Sequence, residues 1–207
     1  KNALKRPYKS TSTSKKSPQN QLRIIGGKWR GQKLSFANAE GLRPTGDRIR
    51  ETLFNWLAPV ISGAHCLDLF AGSGALGIEA LSRGALSATL IEKNRAAITL
   101  LHQSCTQLHA DNADIVQIDA LDWLNNTKPS RLKSTKLFDV VFLDPPFATE
   151  LLQPCCDLLQ QHGLLANNAY IYIETDSQHS TPVTPTSWIP LREKTSGQVT
   201  YRLYRCD

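Results

Sequence analysis

Apolar residues change their spacing in a regular way along this chain. Short apolar runs alternate with stretches in which apolar residues recur every three or four positions. The runs His65–Phe70, Ala88–Glu92, Ile115–Ile118, Phe138–Leu143 and Ala169–Glu174 predict strands. The stretches between them predict helices over Gly74–Arg83, from Asn94 to about Leu108, over Leu121–Leu124, and from about Thr149 to Gln161. Asn94 is a helix N-cap by residue type. Asn126–Lys136 reads as a polar loop, and a Pro/Thr/Ser-rich loop follows Glu174. Trp188–Lys194 and Val199–Tyr204, joined at Ser196-Gly197, predict a closing antiparallel hairpin. Strand and helix in alternation predict an α/β, Rossmann-like, mostly parallel seven-stranded sheet ending in that hairpin.

The front of the chain has a different pattern. Residues 1–20 are rich in Ser, Thr, Lys and Pro and poor in large apolar side chains, which predicts a disordered basic tail. Leu22–Gly27, a turn at Lys28–Gly31, and Gln32–Phe36 predict a small N-terminal β-hairpin extension within residues 21–45. The α/β domain then fills 46–207. Gly41–Asp47 leads into a helix with Ile49, Leu53, Phe54 and Leu57 on one face, capped by Thr45 or Asp47. Arg48 and Arg50 stand in its first turn, where the helix dipole disfavours cations. That misfit is a mild pointer to function.

Charge sharpens this division. The first fifty residues hold thirteen of the 24 Lys and Arg but only Glu40 and Asp47 as acids, while the rest of the chain is acidic in balance. A basic front on an acidic body points to a polyanionic partner. The hairpin interleaves Arg23, Lys28, Arg30 and Lys33 with Trp29, which suits phosphate contacts and base stacking. The alternative is that Trp29 lies as a lid on the main domain, and both can hold. No run of eighteen apolar residues exists, and no signal-peptide core is present, so a cytoplasmic protein is expected. The five cysteines show no metal-ligand spacing, and no metal is expected. No long apolar stripe is left over, so the expected state is a monomer. The absence of methionine, even at position 1, implies less than a complete translation product.

The candidate chemistry starts at Cys66–Gly77, a strand that ends in the turn Gly72-x-Gly74-x-x-Gly77 before a helix. Such a turn also occurs in dinucleotide sites. Two acids change the reading. Asp68, at the strand end, would receive an ammonium group and repel a pyrophosphate. Glu92, ending the next strand, suits two ribose hydroxyls. The expected ligand is a nucleoside carrying an amino acid. Asp119, ending the third strand, is placed either to accept from an adenine amino group or to cap the short helix after it.

The second constellation is Asp144-Pro145-Pro146-Phe147, directly after the fourth strand. Proline holds the residue before it extended and contributes no N–H. The Asp144 carboxylate and the proline carbonyls form a rigid row of acceptors, and Phe147 gives a flat face. An aromatic amine fits there: the ring stacks and the N–H2 donates. Accepting those protons frees the nitrogen lone pair for attack on a methyl donor.

These residues resemble a class I S-adenosylmethionine-dependent methyltransferase of the amino-group type. Asp68–Gly77 is similar to its methionine-binding loop, Glu92 to its ribose acid and Asp119 to its adenine contact. Asp144–Phe147 is similar to the Asp/Asn-Pro-Pro-aromatic signature of enzymes acting on exocyclic base amines. Leu22–Gly31, Leu42-Arg43-Pro44-Thr45, Arg48, Arg50, Glu51, Phe54 and Asn55 further resemble the RsmD family of bacterial guanine-N2 methyltransferases of small-subunit ribosomal RNA. The resemblance implies S-adenosyl-L-methionine held by Asp68, Phe70, Gly72, Gly74, Glu92, Lys93, Asp119, Ala120 and Asp144. It implies catalysis at Asp144, Pro145, Pro146 and Phe147, and RNA contacts from Arg23, Lys28, Trp29, Arg30, Arg43, Thr45 and Arg48. Arg43 and Thr45 would reach the methionine carboxylate or the target phosphate. The implied target is one guanine of 16S rRNA near the decoding region, guanine 966, in assembled or assembling 30S subunits rather than naked RNA. The family often has Tyr-Gly-Asp near the last hairpin, where this chain has Ser196-Gly197-Gln198.

Two other readings stay open. The tetrapeptide also serves DNA adenine-N6 and cytosine-N4 methyltransferases, and a non-catalytic RNA-binding assembly factor could keep the same surface. A nicotinamide dehydrogenase fits less well, because nothing resembles a hydride-transfer base.

Overall fold

The computed structural model describes residues 20–36, 46–127, 137–146, 150–178 and 182–207. Strands β1 (Asn20–Arg23) and β2 (Lys33–Phe36) form an antiparallel hairpin sheet of their own, Leu22 opposite Leu34. Helix α1 (Asp47–Leu57) follows, and then the α/β body: β3 (His65–Asp68), α2 (Gly77–Ser82), β4 (Ser87–Glu92), α3 (Arg95–Leu108), β5 (Ala113–Gln117), α4 (Ala120–Asn126), β6 (Phe138–Leu143), α5 (Leu152–Gln161), β7 (Leu165–Asp176), β8 (Trp188–Ser196) and β9 (Val199–Cys206). The seven strands of the body lie in the order β5-β4-β3-β6-β7-β9-β8. The pairs from β5 to β7 are parallel, and β9 runs antiparallel to both β7 and β8. The expected seven-stranded sheet, its antiparallel end and the small N-terminal hairpin are all present.

Alternation along the central strands builds a core on each face. From β6, Val140 and Phe142 point into one layer and Val141 and Leu143 into the other, all fully buried. The first layer takes Leu53, Phe54 and Leu57 of α1, Ile78 and Leu81 of α2, and Leu101 of α3. The second takes Trp123 and Leu124 of α4 and Cys155, Cys156 and Leu159 of α5. Burial on both faces is why these strands read as unbroken apolar runs.

Several boundaries move. Helix α2 begins at Gly77 rather than Gly74, because residues 72–76 are turns. Helix α1 has Gly46 at its N-cap with no side-chain cap, and Asp47 lies inside the first turn. Thr45 lies outside the described residues. Strand β7 starts earlier than the apolar run suggested, since Leu165 already pairs with Phe138. Asn94 caps α3 as expected, its Oδ1 accepting from the Ala96 and Ala97 N–H groups at 2.9 and 3.1 Å.

The hairpin is stitched to the body through α2. Leu22, Ile24 and Leu34 belong to the first core layer, with Trp29 and Phe36 packed against it. The Glu79 carboxylate, fully buried, accepts from the N–H groups of Ile25 (2.9 Å) and Gly26 (2.8 Å). It also accepts from Arg83 Nε (2.8 Å) and Arg50 Nη1 (3.3 Å). Arg50 donates onward to the Arg23 carbonyl (2.8 Å) and to Asp47 (2.7 Å). At the other end of α2, the Ser82 carbonyl accepts from Lys28 N–H, and Ser82 Oγ donates to the Gly26 carbonyl and accepts from Trp29 N–H. Gly27 has φ +76° and lies so close that a Cβ there would stand 1.8 Å from the Ser82 oxygen, so only glycine fits.

Candidate active site

In this strand order the chain winds outward through β4 and β5 on one side of β3, and through β7 on the other side of β6. The switch point lies between β3 and β6, where an open α/β sheet forms a crevice at the carboxyl ends of its strands. Asp68 closes β3 and Asp144 follows β6, so the two flank that crevice. Glu92 closes β4, Asp119 follows β5, and Glu174 lies near the end of β7. Five carboxylates thus cross five adjacent strands at one edge. Four of them belong to the sequence-derived candidates. Glu174 does not, because an acid ending an apolar run resembles any solvated strand exit until the strand order sets it beside Asp144.

Asp68 is 2% exposed. Its Oδ2 accepts from Gly77 N–H at 3.1 Å and its Oδ1 from Phe70 N–H at 3.4 Å. The first N–H of α2 is therefore spent on Asp68. Gly77 sits close over β4, where a Cβ would stand 2.1 Å from the Leu90 side chain. Burial pushes the Asp68 carboxyl up to about 7, Asp144 and Glu92 push the same way, and the two N–H donors hold it down. Glu92 is half-buried and bridges two turns, Oε2 accepting from Gly72 N–H at 2.9 Å and Oε1 from Asn94 N–H at 2.7 Å. It thereby fixes the glycine turn against β4.

Asp119 does the work of a cap: its Oδ1 accepts from Leu121 N–H at 3.0 Å. Its Oδ2 pairs with Lys93 Nζ at 3.4 Å, an exposed pair of small energetic weight. Lys93 and Asp119 therefore stand together at the rim, and Ala120 is buried as the first residue of α4. Phe70 is half-buried against the second core layer, and Gly72 and Gly74 lie in the turn with positive φ. Asp144 is half-buried, Pro145 buried and Pro146 exposed. Phe147, Arg43 and Thr45 lie outside the described residues.

The described basic candidates lie on the hairpin and on α1. Arg23, Lys28 and Arg30 are exposed on the hairpin, and Lys28 Nζ sits 4.1 Å over the half-buried Trp29 ring. Trp29 packs against the body as well as carrying a cation, so the lid arrangement holds. Arg48 is exposed on α1. Arg50, whose place in the first turn had pointed to function, is fully buried and braces the hairpin instead. Its partner Glu79 is 29 positions away, which local reading cannot reach.

The charge of this edge fits a ligand that brings donors and positive charge. A row of carboxylates attracts an ammonium and a sulfonium, accepts from ribose hydroxyls and amines, and repels phosphates. Among the described residues no group of three or more His, Cys, Asp or Glu could hold a metal ion. All five cysteines are free and buried, with thiols raised by burial, to about 11 at Cys105 and about 12 at Cys155 and Cys156. None is a candidate nucleophile. No described helix is long and apolar enough to cross a membrane.

Residues 22–205 match the family model described as conserved hypothetical protein 95. The chain is 51% identical to ribosomal RNA small subunit methyltransferase D of Escherichia coli, over 91% of this chain and 92% of that protein. It is 45% identical to the Haemophilus influenzae protein of the same name, over 90% and 95%. Among solved structures, yhhF from Escherichia coli superposes with a TM-score of 0.82 at 47% identity, over 91% of this chain and 99% of that one. An RNA methyltransferase from Salinibacter ruber, solved with S-adenosyl-L-homocysteine, shares the fold at a TM-score of 0.58 and 17% identity, over 79% and 94%.

Proposed function

Because this chain belongs to the RsmD family, whose model is described as conserved hypothetical protein 95, we propose that it methylates small-subunit ribosomal RNA with S-adenosyl-L-methionine as the methyl donor. The product we assign is N2-methylguanosine at one position, guanine 966 in 16S rRNA, formed on assembled or assembling 30S subunits. The observation that carries the reading is the carboxylate row across the switch point, with buried Asp68 on one lip and Asp144-Pro145-Pro146 on the other.

In this reading Asp68 and the glycine turn hold the amino-acid end of the cofactor, Glu92 its ribose, and Asp119 with Ala120 the adenine. The bound cofactor supplies an electrophilic methyl group. Asp144 and the Pro145 carbonyl hold the N2 amine with its lone pair directed at that methyl. With the cofactor bound, the C–N bond would form as the methyl's C–S bond breaks, and the C–S electron pair would stay on sulfur. The amine becomes cationic and loses a proton to Asp144 or to water. Most of the acceleration is positioning of the two reactants, and Pro145 and Pro146 serve it by keeping Asp144 extended. A target base in folded RNA is presented from a loop or flipped out of its stack. The exposed Arg23, Lys28 and Arg30 and the Lys28–Trp29 stack supply the RNA grip in this reading, together with Arg43, Thr45 and Arg48. This division makes residues 46–207 the catalytic domain and the hairpin region its RNA-docking extension.

The test is transfer of labelled methyl to small subunits from a strain lacking the enzyme, to naked 16S rRNA and to duplex DNA. N2-methylguanosine formed on the subunits is the expected result. Label in DNA alone would keep the pocket and overturn the substrate. Asp144→Ala should lose on the order of a hundredfold or more in rate while still binding cofactor. Full activity in that variant would favour a different methylation site.

A further inference from the structure

Glu174 is 3% exposed, deep for a carboxylate. Its Oε2 accepts the Tyr172 hydroxyl at 2.8 Å, between two buried side chains on one face of β7. Burial together with Glu174 and Asp144 raises the Tyr172 hydroxyl well above its ordinary range, so it stays a donor and fixes the carboxylate. The register then matters. Phe142 lies opposite Tyr172 and Leu143 opposite Ile173, so the same register carried one residue further sets Asp144, just past β6, beside Glu174, two residues before the end of β7, as the next rung. The Phe142 and Tyr172 rings meet edge-on at 6.4 Å, which shows that this face is continuous up to that rung. Neighbouring strands are about 4.8 Å apart, so the rung offers two carboxylates side by side.

Guanine presents two kinds of donor side by side on its Watson–Crick edge, N1–H and N2–H2. Adenine has a lone pair at N1, and cytosine has one at N3. Resting on the base-methylation reading above, we propose that Glu174 is the base-selecting residue, accepting the guanine N1–H while Asp144 accepts from the N2 amine. An ionised carboxylate accepts several hydrogen bonds at once, so holding Tyr172 and reading the base are compatible. A base with a lone pair at that position meets a buried negative charge, and a buried polar group facing the wrong partner is how a site rejects an analogue. Tyr172 is a positioning residue: it acts on the base only through Glu174.

The experiment compares small subunits reconstituted with guanine or with 2-aminopurine at the target position. 2-Aminopurine keeps the N2 amine but has a lone pair at N1. The natural enzyme should prefer guanine in kcat/KM on the order of tenfold or more. Glu174→Gln, whose amide can present either a carbonyl or an N–H2, should bring the two substrates to within about threefold of each other, with cofactor affinity unchanged. Tyr172→Phe should narrow the preference partly. Equal rates on both bases with the natural enzyme would overturn the inference, and that arm needs no variant to fold. A Glu174→Gln protein that binds cofactor normally and keeps the full preference would overturn it as well. A natural enzyme that methylates neither base at N2 would instead sink the parent reading.

Discussion

Burial raises the Asp68 carboxyl to about 7, so at neutral pH a large share of it is protonated in the ligand-free protein. A folded-state value above the ordinary 3.8 means the fold binds that proton more tightly than the unfolded chain does. This contribution to stability is full below about pH 4 and is lost as pH rises through about 7. Cation binding has the opposite sign, because it needs the ionised form. Cofactor affinity should rise with pH through about 7 and then level off, with proton release on binding. Calorimetry in two buffers of different ionisation enthalpy checks this; no proton release near pH 7 would refute it. Asp68→Asn should lose cofactor affinity at least tenfold, as expected for a charged hydrogen bond, yet melt about 2–4 °C or more above the natural protein at pH 8 without ligand. At this scale the sequence showed the acids that end strands in a glycine turn or beside prolines. It did not show Glu174, whose significance comes from a neighbouring strand thirty positions earlier, nor the fate of Arg50, whose partner sits on another helix.

Among the elements, α2 has the most to do for its length. Its first N–H holds Asp68, its Glu79 holds two hairpin N–H groups and two arginines, and Ser82 at its end holds Lys28 and Trp29. Removing Glu79 with Glu79→Ala should cost on the order of 3–5 kcal/mol, the usual range when one partner of a buried ion pair is deleted. Urea unfolding reads this directly, and a loss below about 1 kcal/mol would mean water replaces the network. Gly27→Ala should separate hairpin from body at less cost to the sheet, seen as faster hydrogen exchange at Ile25 and Gly26 while β6 stays protected. The strands and most helices were legible because two-sided burial and helical spacing leave distinct patterns. Helix α2 was only half legible. The turn at 72–76 carries the same apolar residues as the helix it precedes, and no local signal marks where the hydrogen bonding changes.

Across the whole molecule, the proposed function gives the basic hairpin and the acidic strand edge two different kinds of ligand. If the hairpin contacts RNA phosphates, Lys28→Ala and Arg30→Ala should each lower the slope of log affinity against log salt by about 1. An unchanged slope in both variants would place the RNA elsewhere. The α/β class and the closing hairpin were legible from alternation of strand and helix, but the strand order was not; a Trp29 lid on the body was one expected arrangement, yet nothing local pointed to α2 as the helix the hairpin touches. That docking also fixes a length. The contact between Gly27 and Ser82 has no slack, so the hairpin and the switch-point crevice cannot change their separation without unmaking α2. If the hairpin grips RNA as proposed, the protein works as a caliper, finding its nucleotide by distance along a folded surface rather than by the letters beside it. Substituting bases that flank the target should then matter little, whereas inserting one base pair between the gripped helix and the target should move the mark or abolish it.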